Sequence, residues 1–216
     1  MHYIYDVCSS INLQFNSEFR DLSYFKNIYN GDGIKNSKVV LILTSTSDYN
    51  GALSKFNSAS LYNLHSKKDV NVIYANVSSI HDICDKIFKI KNNKNTIICL
   101  WLKVHGNPYE LEINEKEVIS FNNAQNLKLG LKKLEPNAMI ILQSCSTGKI
   151  NCEGKPTIAQ KIATVAESRL VIAPTENISG EDCRLTWNED SIVFKFESEF
   201  SDTPSNCTAR FKHFQS

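Results

Sequence analysis

The sequence predicts one α/β domain built on a mainly parallel sheet with helices on both faces, and three observations predict it. Short apolar runs alternate with segments of helical period; the runs are apolar throughout, as strands covered on both faces are; and 216 residues suffice for one such domain but not for two with a linker.

The first run, KVVLILT from Lys38 to Thr44, is followed by Ala52 to Leu64, where Leu53, Phe56, Leu61 and Leu64 share one helical face after the turn-forming Asn50-Gly51. The second strand is VNVIYANV, Val70 to Val77. Ser79 then reads as a helix N-cap with Asp82 as the carboxylate of a capping box, and Ile80, Ile83, Ile87 and Ile90 form a single apolar stripe. TIICLWLKV, Thr96 to Val104, is the third strand and runs into His105-Gly106. YELEI and KEVISF around Asn114-Glu115 alternate as a small hairpin does, and a helix carrying Leu127, Leu131 and Leu134 leads to Pro136. The fourth strand, AMIILQS from Ala138 to Ser144, runs into Cys145. Pro156 opens a helix with Ile158, Ile162, Val165 and Ala166, and RLVIAP, Arg169 to Pro174, is the fifth strand. A polar loop and two further apolar runs, SIVFKF and TARFKHF, complete the domain of residues 38–216. Residues 1–37, with a GDG turn at Gly31 to Gly33, are expected to form an arm or hairpin packed on it.

Composition narrows the function. Lys+Arg 24 against Asp+Glu 23 leaves a net charge of +1, with no basic block interleaved with aromatics, so nucleic acid is not an expected partner. The longest apolar run, Ile97 to Leu102, is far short of a bilayer span of roughly 20 residues, so no membrane partner is expected. Asp6 and Asn12 fall where a secretory leader would be uncharged and apolar. Seven cysteines without a C-x-x-C pair suggest neither a disulfide framework nor a zinc site, and a reducing compartment fits them better. With the Asn, Lys and Ile richness of an AT-rich genome, the expectation is a cytoplasmic protein or a bacterial effector delivered into a host cytosol.

In open parallel sheets, reacting groups gather at the carboxyl ends of the strands. His105 and Cys145 each sit at such an end, on strands separated by one hairpin and one helix. A free thiol is only a few per cent thiolate at neutral pH, and a neighbouring imidazole removes its proton. Gly106 permits close backbone approach, so its N–H together with that of Cys145 is a candidate oxyanion hole. His65, His81 and His213 lack a matching partner and read as surface residues. Cys84 and Cys99 read as core, whereas Cys152, Cys183 and Cys207 lie in loop-like sequence with no assigned role. Thr147-Gly148-Lys149 lacks the leading Gly and the Ser/Thr of a phosphate loop, and Asn151 stands where a phosphatase cysteine loop needs Arg. No cofactor or metal is expected.

VHG (Val104 to Gly106) and QSCSTG (Gln143 to Gly148), each ending an apolar strand with 145 − 105 = 40 positions between His and Cys, resemble the caspase-like, or clan CD, cysteine peptidases. S-C-S-T-G is nearest the CHAT form of that motif, and Gln143 is similar to the caspase Q-A-C. The resemblance spans Lys38 to Pro174 and implies a caspase-like three-layer α/β/α sandwich. It implies His105 as general acid/base, Cys145 as nucleophile, and the Gly106 and Cys145 amides as oxyanion hole. STSDYNG after the first strand holds no Arg or Lys, where caspases place a residue that reads aspartate. By the same resemblance, the pocket for the residue before the scissile bond would be lined by Asp48, Gln143 and Glu176, with Glu181 and Asp182 nearby. These acids either select a basic side chain or form an ordinary solvated rim. The expected function is a cysteine endopeptidase, or a relative cleaving an isopeptide or thioester bond, acting on a protein or peptide through an acyl-enzyme. The alternative is a catalytically silent caspase-like module that binds a protein partner.

Overall fold

Each apolar run becomes a strand because it can be buried on two sides. The strands are β1 (Lys38–Ser45), β2 (Val70–Val77), β3 (Thr96–Lys103), β4 (His105–Asn107), β5 (Glu110–Asn114), β6 (Glu117–Ser120), β7 (Met139–Gln143), β8 (Leu170–Pro174), β9 (Cys183–Asn188), β10 (Ser191–Ser198), β11 (Ser205–Asn206) and β12 (Thr208–Phe211). The helices are α1 (Ser58–Ser66), α2 (Ile80–Asn92), the single turn α3 (Lys128–Leu131) and α4 (Ile158–Val165). The computed structural model describes residues 38–53, 55–67, 69–92, 96–150, 154–189, 191–198 and 205–213. The expected arm over residues 1–37, and Cys152, lie outside the described residues.

The central sheet has six strands in the order β12-β8-β7-β3-β1-β2, all parallel except β12, which runs antiparallel to β8. Side chains alternate between two apolar layers. Val39, Leu41, Leu43, Leu100, Leu102, Ile140 and Leu142 pack under the α2 stripe and α4, with Leu111, Ile113 and Ile119 of the small hairpin at one end. Val40, Ile42, Trp101, Ile141 and Ile172 face the other way, against Leu61 and Leu64 of α1, Leu185 of β9, and Phe194 and Phe196 of β10. The expected three-layer architecture around a mainly parallel sheet is therefore present, with the second face covered by one helix and by the antiparallel sheet β11-β10-β9.

Local physics explains where elements differ from expectation. α1 starts at Ser58, later than its apolar period suggested, because the Asn57 side chain caps it by accepting from the Ser60 amide at 3.0 Å. Leu53 is buried and Phe56 lies edge-on to Tyr74 and Trp101, so both serve the core from the preceding loop. In α2, Ser79 Oγ accepts from the Asp82 amide at 2.9 Å, while the Asp82 carboxylate turns back to the Ser78 amide. α4 is opened by a capping box in which Thr157 and Gln160 exchange bonds, with Pro156 just ahead of the cap. The expected helix through Leu127, Leu131 and Leu134 is a 3-10 turn, Ala124–Leu127, followed by α3. The His105 segment forms β4 and pairs with β5, making the hairpin a three-stranded sheet at the carboxyl end of β3.

Candidate active site

β3 and β7 pair in register from Cys99 with Met139 to Lys103 with Gln143, a constant offset of 40 (139 − 99 = 143 − 103 = 40). His105 and Cys145 carry the same offset, each two residues past the last pair, and the Val104 amide still donates to the Gln143 carbonyl at 3.3 Å between them. Cys145 packs against the layer that carries Trp101 and Ile141, while His105 opens β4 just past the end of β3.

Cys145 is half-buried in the turn that leaves β7, with Sγ 3.6 Å from the Ile178 carbonyl oxygen. Ser146 follows it with φ 56, a left-handed conformation that costs a non-glycine residue roughly 1–2 kcal/mol. The fold holds it there: the Ser146 amide donates to the Glu176 carbonyl at 2.9 Å and its hydroxyl to Asn177 Oδ1 at 2.9 Å. Backbone strain of this kind clusters at functional sites, and here it falls directly after Cys145. Among the described residues the Cys145 amide donates no hydrogen bond, which leaves it available to a developing oxyanion.

The imidazole of His105 is held at its edge and on its face. Nε2 lies 3.2 Å from Asp48 Oδ1, and the other Asp48 oxygen accepts from the Leu53 amide at 3.1 Å. Tyr49 stacks on the ring with centroids 4.2 Å apart and planes 26° from parallel. The Tyr49 phenol is held above its ordinary range, first by desolvation and then by the charges of Glu112, Cys145 and Asp48. Gly106 explains how β4 lies so close to the nucleophile turn: a side chain there would collide with Ser144 Oγ and reach 2.6 Å from the Glu110 carbonyl oxygen. Ser144 Oγ is buried and has no hydrogen-bond partner among the described residues.

The remaining sequence candidates have these surroundings. Asp48 is at His105. Gln143 is buried, and its Oε1 accepts from Trp101 Nε1 at 2.9 Å. Glu176 is exposed, and its carbonyl receives the Ser146 amide. Asp182 is buried, with its carboxylate on the Ser179 amide at 2.5 Å, while Glu181 is exposed. His81 and His213 are exposed, and Cys84, Cys99, Cys183 and Cys207 are buried. Burial pushes the Cys183 and Cys99 thiols up, away from the reactive thiolate. Cys183 and Cys207, expected in loops, are small apolar side chains of the second layer.

Two groups were not legible as site residues in the sequence. Tyr49 lies in the loop that follows the carboxyl end of β1, a strand adjacent to β3, and that placement is the signal that could have found it. Lys103 is fully buried beneath His105, its Nζ donating to the Lys55 carbonyl at 2.8 Å and lying 3.0 Å from the Phe56 ring centroid. Burial pulls its ammonium down to about 7, against the opposing pull of Cys183 and Asp48. No group of three or more His, Cys, Asp or Glu among the described residues is placed to hold a metal ion, and no helix there is long and apolar enough to cross a membrane.

Residues 68–192 match the family described as a domain of unknown function (DUF8616). No curated protein matches the chain. Among solved structures, a secreted C11 cysteine protease from Bacteroides thetaiotaomicron, in complex with an irreversible peptide inhibitor, is similar with a TM-score of 0.46 and 12% identity, over 68% of this chain and 51% of that one. This chain thus spans about half the length of that protease chain. Caspase-1 from Spodoptera frugiperda is similar with a TM-score of 0.45 and 14% identity, over 86% of this chain and 92% of that one.

Proposed function

We propose that this chain, which belongs to the DUF8616 family, is a caspase-like cysteine peptidase with Cys145 as nucleophile and His105 as its proton carrier. The observation that carries the reading is that β3 and β7 pair in register up to Lys103 and Gln143, and two residues past that last pair the one leads to an imidazole bonded to a carboxylate and the other to a half-buried thiol beside a strained turn. With the Nε2 proton directed at Asp48, Nδ1 is free to take the thiol proton. The thiolate attacks the scissile carbonyl, and the Cys145 amide, with that of Gly106, stabilises the oxyanion. The C–N bond breaks as the imidazolium gives its proton to the leaving amine. Water, deprotonated by His105, then attacks the thioester, releasing the acid and restoring the thiol. Asp48 orients the imidazole throughout, a role its bond to Nε2 supports over direct substrate contact. A basic residue before the scissile bond is the preferred substrate, because Glu112 and Asp48 make the field around Tyr49 negative and Glu176 is exposed on the loop after β8.

A peptide-library cleavage profile, with Cys145→Ala as control, tests both halves. Cleavage that disappears in the control and favours Arg or Lys is the expected result. Cleavage after aspartate or a large apolar residue would remove the specificity while keeping the peptidase. Failure of an electrophilic peptide to label Cys145 in a His105-dependent way would remove the peptidase.

A further inference from the structure

We infer that Tyr49 is a positioning residue for His105: its ring fixes the plane of the imidazole while Asp48 fixes its edge. This inference rests on the dyad proposed above. A single bond from Nε2 to Asp48 Oδ1 defines a line about which the imidazole can still rock, and rocking changes the direction of Nδ1, the atom the proposed dyad uses. The stack at 4.2 Å and 26° removes that freedom. Exposure shows which partner shields which: the His105 side chain is 8% exposed, whereas Tyr49 is 70% exposed, so the tyrosine covers the histidine and nothing comparable covers the tyrosine. A large aromatic left that open on the surface contributes little to the core, so its contact with the imidazole is what the ring offers here.

The segment that carries the ring is stiff. The Ser47 amide donates to Ser45 Oγ at 2.8 Å, the Leu53 amide to Asp48 Oδ2 at 3.1 Å, and the Ala52 amide to Asn50 Oδ1 at 2.9 Å, with Gly51 supplying the left-handed turn at φ 71. Lys103 ties its far end through the Lys55 carbonyl, and Gly180 packs against the same Lys55 backbone. Two consecutive residues, Asp48 and Tyr49, therefore grip one imidazole from two directions.

The test compares Tyr49→Ala, Tyr49→Phe and His105→Ala by three readouts: the rate of Cys145 alkylation by an electrophilic peptide, the kcat and KM of a short peptide substrate, and the proton shifts of the His105 ring. Tyr49→Ala is expected to slow alkylation and kcat about ten- to a hundredfold with KM unchanged, as misplacement of a reacting group does. It should also remove the ring-current shift of the His105 protons, and leave the thermal unfolding midpoint in place. Tyr49→Phe, which keeps the ring, should restore all of these. A loss confined to KM would make Tyr49 a substrate contact and overturn the inference, as would an unchanged alkylation rate in Tyr49→Ala while His105→Ala is slow. Equal rates in His105→Ala and the native protein would instead bring down the dyad, and this inference with it.

Discussion

At the residue scale the proposed chemistry depends on two side chains, His105 and Cys145, that would act as a unit. Cys145→Ala should abolish hydrolysis and leave the fold intact, because a half-buried thiol at a strand end contributes little packing. His105→Ala should be nearly as damaging, and the double variant no worse than the single ones, since losses within a catalytic unit do not add; kcat/KM of the three variants checks this. Lys103 carries a prediction about pH. Its folded-state value is depressed from 10.5 to about 7, so between those values the unfolded chain holds a proton that the folded protein lacks, and stability rises with pH through that window. Below about 7 both states are protonated and the full cost of the buried ammonium is felt. Lys103→Met should therefore gain most over the native protein at pH 6.5, on the order of several kcal/mol, and that advantage should shrink toward pH 10 in urea titrations. His105 and Cys145 were legible in the sequence because each ends a continuous apolar strand. Asp48 was expected to line the substrate pocket, and its bond to His105 was not legible, since that contact spans 57 positions. Tyr49 was hidden because a stacked ring leaves no pattern in its own segment.

At the scale of elements, the strands were readable and the helix boundaries less so. β1, β2, β3, β7 and β8 are near-continuous apolar runs whose two-sided burial leaves little latitude, whereas α1 begins only where Asn57 can cap it. β9, CRLTWN, escaped notice because only Cys183 and Leu185 are buried along it, and charged or polar residues interrupt the run. α4 shows how much a cap contributes. The Thr157 hydroxyl accepts from the Gln160 amide at 3.3 Å and Gln160 Oε1 accepts from the Thr157 amide at 2.7 Å, so Thr157→Ala should cost about 1–2 kcal/mol. Guanidinium unfolding would read that loss, while the rate of Cys145 alkylation should remain unchanged, because α4 packs on the layer opposite Cys145.

At the scale of the whole molecule, the central sheet sets the register of the two strands that lead into His105 and Cys145. Between them the backbone makes a detour through β4, β5, β6, a 3-10 turn and α3, yet the strands before them are joined by five consecutive pairs, Cys99 with Met139 through Lys103 with Gln143. Unbroken covalent connection across that detour is therefore dispensable. Cutting the backbone once at the exposed turn Glu115-Lys116 would leave two fragments, each carrying one half of the dyad and each still bound into the same sheet. Such a nicked protein should co-purify as one species and keep His105-dependent labelling of Cys145, and separation of the fragments under native conditions would refute the idea. The freedom to be severed then belongs to the exposed turn alone, since β4 carries His105 and Gly106, and Leu111, Ile113 and Ile119 on either side of the turn are core.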